Sequence, residues 1–231
     1  MYLTVRGLSE ALDVSEATIL KWVRQRGLPA RHVGGQYRFN RSELLEWTTA
    51  NGVKAPAGLF DHLEDEDEPS PGLAEALEQG GIFYNLRDTC RESALRTMVE
   101  VLPLPDGLDR EMLLHLYLAR ESAASTGVGD GIALPHVRNP IVLHVSRPMA
   151  SLCFLERPVD FGALDGKPVY VLFAVISPTT RGHLQLLARL AHAIHDAEFR
   201  KTVMAQAPAE AILREARRVD GSIAARGKKP A

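Results

Sequence analysis

The sequence predicts a two-domain chain of mixed α+β and α/β class. A small domain of helices and one hairpin is followed by a larger mixed β-sheet sandwiched by helices. Three observations predict it. Residues 1–50 read helix, turn, helix, hairpin, helix. Residues 51–71 lose periodicity, carrying Gly52, Pro56, Gly58, Pro69 and Pro71 around the acidic run Glu64-Asp65-Glu66-Asp67-Glu68. From Gly72 onward, apolar helical and strand patterns alternate around a glycine-punctuated loop. The expected boundaries are 1–52 for the first domain, 53–71 for a flexible acidic linker, 72–219 for the second domain and 220–231 for a disordered tail.

Composition allows this layout. Of the 231 residues, 45% are apolar, enough for packed cores and too many for wholesale disorder. The start Met1-Tyr2-Leu3-Thr4 has no leader pattern, and no apolar run is long enough to span a bilayer. The two cysteines, Cys90 and Cys153, form neither a disulfide framework nor a zinc pattern. The expectation is a cytoplasmic protein without membrane, metal or cofactor. The net charge of −2 hides a partition. Residues 1–54 carry eight basic and five acidic side chains, whereas residues 55–70 carry six acidic and no basic ones.

In the first domain Thr4 is a helix cap, and Val5, Leu8 and Leu12 follow at helical spacing. Asp13-Val14-Ser15 breaks that pattern, and Ser15 caps a second helix with Ile19, Trp22 and Val23 on its apolar face. Gly27 and Pro29 stop it. Residues 30–39 form a hairpin about Gly34-Gly35, a pair suited to primed turns, which puts Arg31, Val33, Gln36 and Arg38 on one face. Asn40-Arg41-Ser42-Glu43 is a capping box for a third helix carrying Leu44, Leu45 and Trp47. This is the pattern of a winged helix-turn-helix. The string Leu-Pro-Ala-Arg-His-Val-Gly-Gly-Gln-Tyr-Arg-Phe-Asn resembles the excisionase and MerR-like DNA-binding family. The resemblance implies that the second helix enters the major groove of double-stranded DNA and the hairpin grips flanking backbone. Thr18, Lys21, Arg24 and Gln25 are then the recognition-helix candidates, and Arg31, Gln36 and Arg38 belong to the wing. Lys and Arg would hold phosphates, while Thr18 and Gln25 could read base edges.

In the second domain Leu73, Ala76 and Leu77 make a short helix closed by Gly80-Gly81, and Ile82 to Leu86 is a strand. Thr89-Cys90-Arg91-Glu92 reads as a capping box, and Asp109 caps a helix ending near Ser122. Residues 150–155 and 169–176 are central strands. A helix runs over 181–194, with one or two more over 197–218.

Between Arg120 and Pro140 lies the stretch of most chemical interest. Gly127, Gly129 and Gly131 permit a loop whose N–H groups converge, and Pro135 stiffens the approach to His136. Arg120 and Arg138 flank it. Neither a Walker loop nor a dinucleotide fingerprint fits the spacing. The string Ser-Thr-Gly-Val-Gly-Asp-Gly-Ile-Ala-Leu-Pro-His closely resembles the phosphorylation motif of phosphotransferase-system enzyme IIA domains of the fructose, mannitol and nitrogen-regulatory class. A second string, His-Leu-Gln-Leu-Leu-Ala-Arg-Leu-Ala from His183, resembles the other active-site element of those domains.

The resemblance implies that His136 accepts a phosphoryl group from the histidine-containing phosphocarrier protein without a metal. His183 would orient the ring or bind a phosphoryl oxygen, Arg120 would neutralise charge, and Thr126 with the loop N–H groups would hold the oxygens. Since phosphoryl transfer has a loose transition state, positioning and charge stabilisation carry such a site. His144, His192 and His195 read as surface histidines. The leading expectation is a DNA-binding regulator phosphorylated on histidine, a phosphoacceptor rather than a conventional turnover enzyme. A regulatory phosphocarrier acting through protein contacts and a sugar-transport IIA component passing the group to a IIB domain are the alternatives.

Overall fold

A computed structural model describes residues 2–40, 43–44, 47–48, 51, 53, 72–137 and 145–227. The chain divides into two compact units, Met1–Asp67 and Glu68–Ala231. The acidic run, Leu45, Arg138 and His144 lie outside the described residues, as does the linker except for Val53.

In the first unit, β1 (Tyr2–Leu3) leads into α1 (Val5–Leu12) and α2 (Glu16–Gln25), then β2 (Arg31–Val33) and β3 (Gln36–Asn40). Local chemistry sets these boundaries. The Thr4 hydroxyl accepts from Gly7 N at 3.0 Å and the Ser15 hydroxyl from Thr18 N at 3.2 Å, so both helices are capped by side chains. Asp13 ends α1 in the left-handed region (φ 52°), which a short polar side chain tolerates. Gly34 and Gly35 take φ of 58° and 77°, the geometry of a primed turn. The resulting register pairs Arg31 with Arg38 and Val33 with Gln36. The wing face thus forms as expected. β1 was not anticipated, because two residues carry no alternation, and it exists through pairing with Phe39 and Asn40.

Leu8, Leu12, Ile19, Leu28, Phe39, Leu44 and Trp47 form the small core. Residues 43–44 and 47–48 are helical, and Asn40 Oδ1 accepts from Glu43 N at 3.4 Å. Arg26 lies over Trp22 and Trp47, 5.8 and 5.5 Å from the ring centres, and its carbonyl accepts from Trp47 Nε1 at 2.8 Å.

The second unit contains α3 (Leu73–Gly80), β4 (Ile82–Leu86), α4 (Arg91–Val101), α5 (Arg110–Ala123), β5 (Gly127–Gly129) and β6 (Ile132–Ala133). β7 (Met149–Val159), β8 (Val169–Ile176), α6 (Thr180–His195), α7 (Ala197–Met204) and α8 (Ala209–Gly227) follow. The sheet order is β4-β7-β8-β6-β5. It is mixed: β4 runs parallel to β7, β7 antiparallel to β8, and β6 parallel to β8. One face of β7 and β8 buries Cys153, Leu155, Leu172, Ala174 and Ile176 against Leu95, Met98, Leu113 and Tyr117 of α4 and α5. The other face supplies Phe173, which stacks on Phe199 of α7, while Tyr84 of β4 stacks on Phe154 of β7. This is the expected sandwich.

Four local expectations are corrected. The glycine stretch is not only a loop: it contains two short strands, β6 pairing with β8 and β5 pairing with β6 at the sheet edge. β7 continues past Leu155 to Val159 across a register shift. The start of α4 is capped at Cys90, where the Ser93 hydroxyl accepts from the amides of Thr89 and Cys90 at 3.2 Å, so Glu92 is not the partner. Finally, residues 220–227 are not a disordered tail but the end of α8. Ile212, Ala216 and Val219 bury one stripe of that helix. Asp220 then accepts from Leu73 N at 2.9 Å and Ala74 N at 3.0 Å, capping α3, with Arg189 3.2 Å away. Sequence-distant partners made this extension invisible locally.

Candidate functional site

The last turn of α5 and the strand continuing from β6 bring Arg120 and His136 together. Arg120 Nη1 donates to the carbonyl of Ala124 at 2.7 Å, and its Nε donates to His136 Nε2 at 3.4 Å. His136 extends β6 and bridges Val175 at the end of β8, where Val175 N donates to the Pro135 carbonyl at 3.2 Å. The imidazole Nδ1 lies 2.7 Å from the Leu134 carbonyl. A carbonyl only accepts, so this contact assigns the proton to Nδ1 and the lone pair to Nε2.

His183 stands in the first turn of α6, its ring centre 5.5 Å from that of His136, with the planes at 47°. Thr179 caps this helix, accepting from Gly182 N at 3.1 Å. The helix amino terminus adds a partial positive charge beside the two rings. Arg120, His136 and His183 are 3%, 3% and 2% exposed, so they meet a partner from a nearly dry setting where their electrostatics are strong.

Thr126 is placed differently from expectation. Its hydroxyl donates to Glu121 Oε2 at 2.5 Å, and its amide lies 3.2 and 3.1 Å from the two Glu121 oxygens. Three amides of the stretch are also committed. Gly127 N donates to Ser125 Oγ at 3.0 Å, Asp130 N to Asp165 Oδ2 at 2.8 Å, and Leu134 N to the Thr126 carbonyl at 2.9 Å. The glycines here serve backbone shape and close packing instead. Gly131 has φ 79°, and a Cβ there would sit 2.6 Å from the Tyr170 ring.

The residue that sequence reasoning missed is Glu121. An acid in the last turn of a helix opposes the helix dipole, and Glu121 is 4% exposed; those two facts mark it. Only the first could be read from the sequence.

At the loop tip, Asp130 meets Lys167 at 2.8 Å and Arg200 at 3.2 Å. The Asp130 amide lowers the pKa of the Asp165 carboxyl, and hydrogen bonding to Asp130 raises that of Lys167. Burial pushes the Cys153 thiol up to about 12, which makes it inert. His195 is exposed as expected and His192 is half-buried.

In the first unit, Lys21, Arg24 and Gln25 are exposed on α2, and Arg31 and Gln36 are exposed on the wing. Thr18 is half-buried with its hydroxyl 2.9 Å from that of Ser15, so part of its polarity serves the helix start. Arg31 lies over the Tyr2 ring at 5.8 Å and 3.7 Å from Glu43. Arg38 is half-buried.

A mixed sheet presenting a histidine lone pair beside a buried arginine and a second histidine, preceded by a helix-turn-helix, defines a phosphotransferase-system IIA-type domain joined to a helix-turn-helix module. The family comparisons agree. Residues 75–216 match the model described as phosphoenolpyruvate-dependent sugar phosphotransferase system, EIIA 2, and residues 2–52 match a helix-turn-helix domain. The chain belongs to the EIIA 2 family.

A nitrogen regulatory protein of Pseudomonas aeruginosa is 33% identical over 144 residues, covering 61% of this chain and 91% of that protein. The fructose-specific EIIABC component of Bacillus subtilis is 31% identical over 144 residues, covering 61% of this chain and 22% of that protein. Among solved structures, the nitrogen regulatory protein IIA-Ntr of Neisseria meningitidis aligns with a TM-score of 0.54 and 26% identity, over 62% of this chain and 98% of that one. Among the described residues no helix is long and apolar enough to cross a membrane.

Proposed function

We propose that this protein is a cytoplasmic DNA-binding regulator whose IIA domain accepts a phosphoryl group on His136 Nε2 from a histidine-containing phosphocarrier protein. The observation that carries the reading is the pairing of His136 Nδ1 with the Leu134 carbonyl, which leaves Nε2 with its lone pair beside Arg120 and His183. In the transfer, Nε2 attacks phosphorus as the donor P–N bond breaks, and that electron pair returns to the donor imidazole. Once Nε2 is bonded to phosphorus it accepts no hydrogen bond, so Arg120 Nε redirects its N–H hydrogen bond to a phosphoryl oxygen while staying protonated. His183 donates to a second oxygen.

The relatives named nitrogen regulatory proteins support a regulatory role over a transport role. The helix-turn-helix match, with exposed Lys21, Arg24, Gln25, Arg31 and Gln36, supports double-stranded DNA as the partner of the first domain.

The test uses the full chain with phosphorylated carrier protein. Wild type gains an acid-labile, base-stable phosphoryl group and His136→Ala gains none. Full labelling of His136→Ala ends the assignment. Genomic footprinting of wild type and His136→Ala then tests the DNA half: sites protected by both establish binding, and no protected site removes it.

A further inference from the structure

We infer that Glu121 is a positioning residue that sets the tautomer of His136 through a four-link relay. The first link is from Glu121 to Thr126: both carboxylate oxygens face the Thr126 amide, and one takes the hydroxyl at 2.5 Å. The second runs along Thr126 itself, whose carbonyl accepts from Leu134 N at 2.9 Å. The third is the Leu134 backbone, whose N–Cα–C atoms join that amide to the Leu134 carbonyl. The fourth is the 2.7 Å contact of that carbonyl with His136 Nδ1. Arg91 Nη1 lies 3.7 Å from Glu121 and 3.3 Å from the Phe161 carbonyl, and Ser125 Oγ donates to that same carbonyl at 2.7 Å. The carboxylate is therefore held from the α4 side as well.

The cost of the arrangement is informative. Glu121 is buried and sits in the last turn of α5, where helix carbonyls repel an anion. Packing alone favours an apolar residue there. What the carboxylate supplies is fixed geometry at Thr126, just before β5, and through the Thr126 carbonyl at the Leu134 carbonyl that meets His136 Nδ1. With the proton on Nδ1, the lone pair is on Nε2, the atom that faces Arg120. If Thr126 shifts, the Leu134 carbonyl shifts, and the neutral ring partitions between tautomers, one of which carries its proton on the reacting nitrogen.

The functional consequence rests on His136 being the phosphoacceptor, whereas the tautomer itself does not. Two readouts therefore apply. Nitrogen-15 NMR of histidine-labelled protein reports the His136 tautomer without any phosphoryl donor. Rapid-quench transfer from phosphorylated carrier protein reports the rate.

In Glu121→Ala the His136 signals move from the Nδ1-protonated pattern toward a mixture, and transfer slows by about tenfold or more. The KM for carrier protein changes by less than about twofold, since the docking surface is untouched. Thr126→Val moves both readouts the same way and Thr126→Ser restores them, because serine keeps the hydroxyl. Wild-type tautomer signals in Glu121→Ala and Thr126→Val overturn the relay, as do equal defects in Thr126→Ser and Thr126→Val. If Glu121→Ala does not fold, the threonine pair decides. A tautomer shift in the variants of a protein that accepts no phosphoryl keeps the relay and removes the phosphoacceptor reading.

Discussion

In the second domain Arg120, His136 and His183 are almost sealed from water, and Arg120 and His183 both approach His136. On α2 and the wing of the first domain, Lys21, Arg24, Gln25, Arg31 and Gln36 stand exposed. Both sets are candidates for meeting phosphate, and the contrast teaches how each must do it. A buried set is preorganised, so its groups depend on each other and each loss is large and non-additive. An exposed set works through solvated charge, so its losses are small, nearly additive and sensitive to salt. The phosphates of the proposed function fit the contrast. One is a single group transferred through a geometry-sensitive step, and the other is a repeating backbone that any matched row of cations can hold.

The largest effect separating the two regions belongs to Arg120. Arg120→Ala removes the donor beside Nε2 and lowers the transfer rate by about 10²–10³-fold, the usual cost of one preorganised charge-stabilising donor. Arg120→Lys keeps the charge but not the second donor that anchors on the Ala124 carbonyl, so it recovers only part. Single-turnover transfer measures both, and an Arg120→Ala rate within threefold of wild type (about 0.7 kcal/mol) sinks the role. His183→Ala is expected to cost about 10–100-fold, the loss of one hydrogen bond to a charged oxygen, with the acceptor itself retained. A complete loss of labelling in that variant reassigns His183 from helper to acceptor.

How far each region could be read from the sequence follows the same physics. Caps at Thr4, Ser15 and Asp109 were legible because donor and acceptor lie within three residues. The central strands were legible because β7 and β8 are apolar on both faces. Arg120, His136 and His183 were legible as residues of a motif. Most of what failed is completed by partners outside the local pattern, although the α4 cap failed locally, going to Ser93 instead of Glu92. β6 needs β8 and β5 needs β6, the end of α8 meets the amides of α3, and the Thr126 hydroxyl goes back to Glu121 rather than outward. The loop amides are a further case. Glycines at Gly127, Gly129 and Gly131 suggested a phosphate cradle, yet Gly127 N and Asp130 N are already satisfied by Ser125 and Asp165. A glycine pattern reports backbone freedom and leaves open what the freed amides bind.

On the exposed side the effects are smaller and carry a salt signature. In the double variant Lys21→Ala with Arg24→Ala, the slope of log affinity against log salt falls by about 2, one for each phosphate contact. A fourfold rise in salt then costs the variant about tenfold less affinity than it costs wild type. All DNA sequences are weakened alike, because phosphate contacts carry no sequence information. Gln25→Ala should instead weaken some sequences and leave the slope unchanged. If the double variant keeps the wild-type slope, α2 does not lie along DNA backbone and the helix-turn-helix serves a protein partner. Titration is convenient to follow because both tryptophans of the chain, Trp22 and Trp47, lie in the first domain.

The smallest expected effect tests whether the two regions communicate at all. Phosphorylation adds close to two negative charges at His136, which is about seventy residues past the acidic linker. If that charge alters DNA binding, the factor is a coupling free energy and must appear twice. DNA affinity changes on phosphorylation by some factor, and the phosphotransfer equilibrium with carrier protein changes on adding DNA by the same factor. We expect about fivefold, the lower end of what coupled sites show, because exposed charge at physiological ionic strength is screened over about 8 Å. Tryptophan emission reads the first quantity and the equilibrium ratio of labelled chain to labelled carrier reads the second. Matching factors make the chain a single sensor and regulator. Factors of one in both measurements leave a phosphoacceptor and a DNA-binding module that share a chain without sharing a signal. The regulatory reading would then need a third molecule that binds the phosphorylated IIA domain and the first domain together.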